Sequence, residues 1–207
     1  MFSIALLSVA AVWLAFFRLE PKEKPREEHS EKYKDNMKKL WTIARSSMRE
    51  KKPARAERAL LTILKFDERN AAAYNRLGIL YAKTQKYDDA IECFEIAQSL
   101  DNNPSSLHNA GLIYLETGAY EKAAMAFKQA IAIEGDVPSR FIALSKAEEK
   151  LGHKKEALEA LENAYELDRS TSTLRQILAL HEATGDQEAV LATTARIEEQ
   201  IAAQSKK

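Results

Sequence analysis

The chain has 207 residues, room for one domain and additional segments, and its 31 Lys and Arg balance 31 Asp and Glu. Zero formal net charge excludes bulk electrostatic recruitment to nucleic acid. A single cysteine, Cys93, excludes an intramolecular disulfide and any multi-cysteine metal site. With 30% charged residues, 6 Gly and 5 Pro, the composition suits a helical array with much exposed surface.

Residues 1–17, MFSIALLSVAAVWLAFF, carry no charged side chain. Such a run reaches the lower end of the ~17–25 residues that span a bilayer as a helix. Trp13, Phe16 and Phe17 lie at its charged end, where aromatic rings favour the membrane interface. A cleaved signal peptide would carry a positive charge before the run and a small-residue site after it. Neither is present. A buried soluble helix would need a polar face, which the run lacks. The expectation is a single retained transmembrane helix. Arg18, Lys22, Lys24, Arg26, Lys32 and Lys34 follow it, and Lys and Arg stay on the cytoplasmic side. The remainder of the chain is therefore expected to face the cytoplasm.

Residues 18–36, RLEPKEKPREEHSEKYKDN, read as a charged linker. Pro21 and Pro25 oppose a regular helix at its start, and mixed charge without apolar residues buries no core. Contact with anionic lipid heads is the sharper alternative to a solvated spacer. Residues 37–70 read as a helical hairpin, with Pro53 in the first turn of its second helix, where a missing N–H costs nothing.

Residues 71–103 and 104–137 are one pattern written twice. Gly78 recurs as Gly111, Tyr81 as Tyr114, Ala90 as Ala123, Phe94 as Phe127 and Ala97 as Ala130, each 33 residues on. Leu77, Gly78 and Tyr81 share one face of a first helix; Ala90, Phe94 and Ala97 share one face of a second. Small residues let the helices approach, and large ones fill the space beside them. The turns are Thr84-Gln85-Lys86 and Thr117-Gly118-Ala119, where Gly118 suits a left-handed C-cap. Residues 138–170 form a fourth hairpin, opened by Pro138, with Phe141, Leu144, Ala157, Leu161 and Ala164 in register. Ser145 and Glu148 replace Gly and Tyr there, so looser packing is expected. Residues 171–203 form a fifth, weakest copy with Leu174, Ile177, Leu178, Val190 and Ile197, and Thr194 in place of Phe. A polar last copy suits the end of a solenoid, whose outer face meets water. Residues 204–207 are expected to fray.

The residues Tyr74, Leu77, Gly78, Tyr81, Ala90, Phe94 and Ala97, with Leu107, Ala110, Gly111, Tyr114, Ala123, Phe127 and Ala130, resemble the tetratricopeptide repeat family. The resemblance extends to residues 37–70 through Ile43, Ala44, Ala56, Leu60 and Ile63, with Ser47 in place of the Tyr. It implies an all-α, right-handed helical-hairpin solenoid of about five repeats, here preceded by the single transmembrane helix. It also implies a concave groove, lined by the first helix of each hairpin, that takes a peptide or a partner helix. The groove-facing places of the family fall on Arg45, Met48, Arg49, Asn75, Arg76, Ile79, Lys83, His108, Asn109, Leu112, Glu116, Ile142, Lys146 and Lys150, with Trp41 beside them. The basic first half of that set suits an acidic partner with an apolar anchor; the alternative is that these charges only keep an exposed surface soluble. The family's clamp for a chaperone tail would need Lys, Asn, Asn, Lys and Arg. This chain has Asn75, Ile79, Asn109, Ser139 and Ala143, so only Asn109 matches.

No catalytic chemistry is written here. His29, His108, His153 and His181 show no metal spacing, and there is no phosphate loop or nucleophile elbow. Cys93 beside Phe94 reads as a small buried apolar residue. No enzyme activity, cofactor or metal is expected. The expected function is a membrane-anchored adaptor that holds a protein or peptide partner at the bilayer. The alternatives are a self-assembling scaffold, and an exported protein after loss of the first segment.

Overall fold

The computed structural model describes residues 26–204. The expected membrane anchor, the first part of the linker and residues 205–207 lie outside these. Among the described residues no helix is long and apolar enough to cross a membrane. The chain divides into two units, residues 1–39 and 40–207. Of the first, the described part is the beginning of helix α1 (Arg26–Arg49). Residues 26–36 of the expected linker belong to this helix; a proline restricts the residue before it, not those after it.

The second unit holds the rest of α1 and nine further helices: α2 (Pro53–Phe66), α3 (Ala71–Lys83), α4 (Tyr87–Leu100), α5 (Pro104–Glu116), α6 (Tyr120–Ile133), α7 (Pro138–Lys150), α8 (Lys154–Asp168), α9 (Thr171–Thr184) and α10 (Gln187–Gln204). Helix α10 runs through Gln204, one residue into the segment expected to fray. From α2 onward each helix packs on the next, and α5 also touches α3 and α7. Contacts that reach only near neighbours are the mark of a stacked hairpin array. The α3–α5–α7 contacts put the first helices of successive hairpins in one row.

Local sequence sets the helix starts. Pro53, Pro104 and Pro138 open α2, α5 and α7, where a missing N–H is harmless. Asn70 caps α3 by accepting from the Ala73 N–H at 3.0 Å, Asn103 caps α5 through the Ser105 N–H at 2.8 Å, and Ser170 caps α9 through the Ser172 N–H at 3.1 Å. Each hairpin turn passes through one left-handed residue: Lys51, Gln85, Gly118, Gly152 and Gly185. Gly118, at φ 80°, takes the conformation its sequence suggests.

The core repeats along the array. Ala90, Phe94, Ala110 and Ile113 form one buried cluster; Ala123, Phe127, Ala143, Leu144 and Ala147 form the next; Ala157, Leu161, Leu174, Ile177 and Leu180 form a third. Its tightest contact sits within each of the two best-formed hairpins. A Cβ added to Gly78 would lie 2.6 Å from Phe94, and one added to Gly111 would lie 2.6 Å from Phe127. The other repeats keep the summed volume by different means. The glycine becomes Ala44, Ser145 and Leu178 where the phenylalanine becomes Leu60, Leu161 and Thr194.

The fourth hairpin corrects one expectation. Ser145 and Glu148 are 2% and 1% exposed, so the site is filled. Glu148 stands where Tyr81 and Tyr114 stand, and its carboxylate meets Lys128 Nζ at 2.7 Å and His153 Nδ1 at 2.8 Å. An ion pair to the preceding repeat does there what the Tyr114 hydroxyl does towards Glu95 at 3.4 Å. Burial raises the Glu148 pKa, but hydrogen bonds and charge from Lys128 and His153 outweigh it and hold the carboxyl below its ordinary range.

Candidate binding face on the first helices

The residues expected to line the groove lie on α1, α3, α5 and α7, and they fall into two groups. Arg45, Arg49, Arg76, Lys83, Leu112 and Lys146 are exposed; Trp41, Asn75, Ile79, His108 and Asn109 are half-buried. Asn109 on α5 donates from Nδ2 to Asn75 Oδ1 on α3 at 3.0 Å, which ties two adjacent first helices together on this face. Each amide keeps further donors or acceptors for a ligand backbone.

Two members of the half-buried group are engaged with the core. Ile79 packs on the Ala90–Phe94 cluster. The His108 ring lies 5.5 Å from that of Phe127, at 53°. Its Nδ1 is buried without a hydrogen-bond partner. Burial, then the charge of Arg140, lowers the His108 pKa, so the ring is neutral at physiological pH.

The structure adds a feature that the sequence did not single out. A cavity of about 550 Å³ opens between the first turn, at Lys51, Lys52 and Pro53, and the end of α3 at Leu80, Lys83 and Thr84. Ser47, Met48 and Arg49 complete its wall. Arg140 also went unread. It is 5% exposed, donates from Nη1 to the Glu134 backbone oxygen at 2.6 Å, and pairs through Nη2 with the Glu134 carboxylate. It thereby closes the end of α6 and holds the loop before α7.

The thiol of Cys93 is not a nucleophile in this fold. Cys93 is 7% exposed, and burial, then Glu92 and Asp89, pushes its thiol up to about 11. A thiol at that value is protonated and unreactive at neutral pH. Among the described residues no cluster of three or more His, Cys, Asp or Glu could hold a metal ion.

Comparison with known proteins bears on the repeats directly. Two models of the tetratricopeptide repeat family match, one at residues 69–133 and one at residues 140–171. No curated protein sequence matches the chain. Many solved structures share the fold. A structure titled "Crystal structure of MamA protein" superposes at TM-score 0.74 with 20% identity, covering 83% of this chain and 95% of its own. "MamA RS-1 ArsTM double mutant" gives 0.73 at 18% identity, over 84% and 98%. MamA residues 41 to the end from Desulfovibrio magneticus RS-1 give 0.72 at 18%, over 82% and 97%.

Proposed function

From the tetratricopeptide repeats that this chain carries, we propose that it is a membrane-anchored adaptor. Its face of first helices binds a protein or peptide partner and holds it at the bilayer. The observation that carries the reading is the Asn75–Asn109 pair, which joins two first helices on a face rimmed by exposed Arg45, Arg49, Arg76 and Lys83. Amide groups serve an extended backbone, and the cations suit acidic side chains through charge-assisted hydrogen bonds. The apolar run 1–17 supplies the anchor, and the Lys and Arg after it put the repeats on the cytoplasmic side.

The test is photo-crosslinking in cells from Leu112, which is 41% exposed on the same face. A discrete adduct that is lost on Arg45→Glu with Arg76→Glu supports the adaptor. Both arginines are exposed, so the pair should cost the fold no more than about 0.5 kcal/mol each. An adduct indifferent to both substitutions refutes the basic part of the face as the site. Release of the full chain from membranes by carbonate would refute the anchor.

The scaffold reading draws on one observation of its own. The last helix exposes Leu191 at 71% and Ile201 at 46%. Light scattering that shows a concentration-dependent oligomer, abolished by Leu191→Glu, would favour self-assembly through that end.

A further inference from the structure

We propose that the cavity between the first turn and the end of α3 is a specificity pocket, taking a bulky apolar side chain of a partner segment whose flanking residues are acidic. The inference rests on the adaptor reading and locates its anchor point. The volume, about 550 Å³, falls in the ~300–1,000 Å³ range of ligand pockets. Met48, Pro53 and Leu80 give it an apolar wall. Its rim carries four cations, Arg49, Lys51, Lys52 and Lys83.

Cations at helix C-termini often serve only to satisfy the last carbonyls. Here the backbone has already done so. At the end of α1, the Ser46, Met48 and Ser47 oxygens accept from the Glu50, Lys51 and Lys52 N–H groups. At the end of α3, Leu80, Tyr81 and Ala82 accept from Thr84, Gln85 and Lys86 N–H groups. The Thr84 hydroxyl adds bonds to the Leu80 and Tyr81 oxygens. Glu50, next in sequence to the rim residues but outside the lining, is held by Lys52 at 2.8 Å, with Arg55 and Arg49 also favouring its charge. Lys51 and Lys83 line the cavity, and among the described residues neither forms an ion pair with a carboxylate.

A second, independent observation lies in the wall itself. Ser47 is 1% exposed, and its Oγ has no hydrogen-bond partner. A buried hydroxyl without a partner carries a desolvation cost, and it marks the one unsatisfied polar side-chain atom in this wall. An apolar side chain flanked by carboxylates matches the wall and the rim.

The experiment uses the full chain and fluorescence polarisation with two labelled peptides, Asp-Glu-Trp-Glu-Asp and Asp-Glu-Ser-Glu-Asp. The first should bind, and the second should bind at least tenfold more weakly. Lys51→Glu with Lys83→Glu should weaken the first peptide more than tenfold, while the control Lys155→Glu with Arg175→Glu, on α8 and α9 away from the cavity, leaves it within about threefold; both pairs of residues are exposed, and circular dichroism checks the fold. Equal binding of the two peptides overturns the pocket, as does indifference to the lysine reversals. If the Trp peptide fails to bind but a discrete partner is still captured from Leu112, the pocket is wrong and the adaptor stands. If both fail, both readings fall.

Discussion

Gly111→Ala tests the contact on which the repeat register depends. The added methyl would lie 2.6, 2.9 and 3.0 Å from three atoms of the Phe127 ring. Phe127 is fully buried within the cluster of Ala123, Ala124, Ala143, Leu144 and Ala147, so the ring has nowhere to retreat. Overpacking of this kind costs about 1–3 kcal/mol, and three close contacts put it near the upper end. Helix propensity works the other way, since alanine in a helix interior gains about 1 kcal/mol over glycine. The net expectation is a loss of about 2 kcal/mol, or a Tm lower by roughly 4–8 °C for a domain of this size. Thermal unfolding by circular dichroism at 222 nm reads it. The double substitution Gly111→Ser with Phe127→Leu recreates the pair that the fourth repeat uses at Ser145 and Leu161. It should therefore be more stable than the sum of its single changes by about 1 kcal/mol or more. If Gly111→Ala matched or exceeded the parent, the ring would be yielding, and the close approach would not be what fixes these helices.

Three further outcomes follow from the structure. Gln85 sits at φ 60° in the second hairpin turn, where its equivalents in later hairpins are glycines; Gln85→Gly should raise stability by about 0.5–1 kcal/mol in a urea titration, and a loss would show that the side chain stabilises the turn. Glu148 and His108 both have folded pKa values below their ordinary ones, so each contributes stability that is present at neutral pH and lost as pH falls through its folded value. Tm should therefore drop on acidification, first for His108 below about pH 6.5 and then for Glu148 below about 4.5. Glu148→Gln should cost about 1–3 kcal/mol at pH 7 and converge on the parent near pH 3; a pH-independent gap would refute the ion pair with Lys128. Cys93 should resist a thiol reagent at pH 7 in the folded chain and react at once in denaturant, whereas rapid native labelling would contradict its burial.

What the sequence made legible is what a single hairpin decides for itself. Gly78 and Phe94, or Gly111 and Phe127, are 16 residues apart, and their contact is closed within two adjacent helices. Pro53, Pro104 and Pro138 and the glycines of three turns act within a residue or two of where they stand. These features carry the fold, and they read correctly. The side chains that were misread find their partners in another repeat or at the far end of a loop. Glu148 looked like a poor substitute for tyrosine because its partner, Lys128, belongs to the preceding hairpin. Arg140 gave no sign that it would fold back on Glu134. The basic cavity combines the first turn with the end of α3, more than 25 residues later, and no motif spans that interval. The same division explains why the candidate face was only half legible. Its residues could be placed on the first helices by register, yet their engagement differs. Asn75 and Asn109 spend one bond each on one another, His108 turns its ring to Phe127, and Lys83 lines a cavity. In an array that stacks by nearest neighbours, the repeat dictates the scaffold, and its departures from the pattern, at Ser47, Lys51 and Glu148, are where one repeat differs chemically from the next.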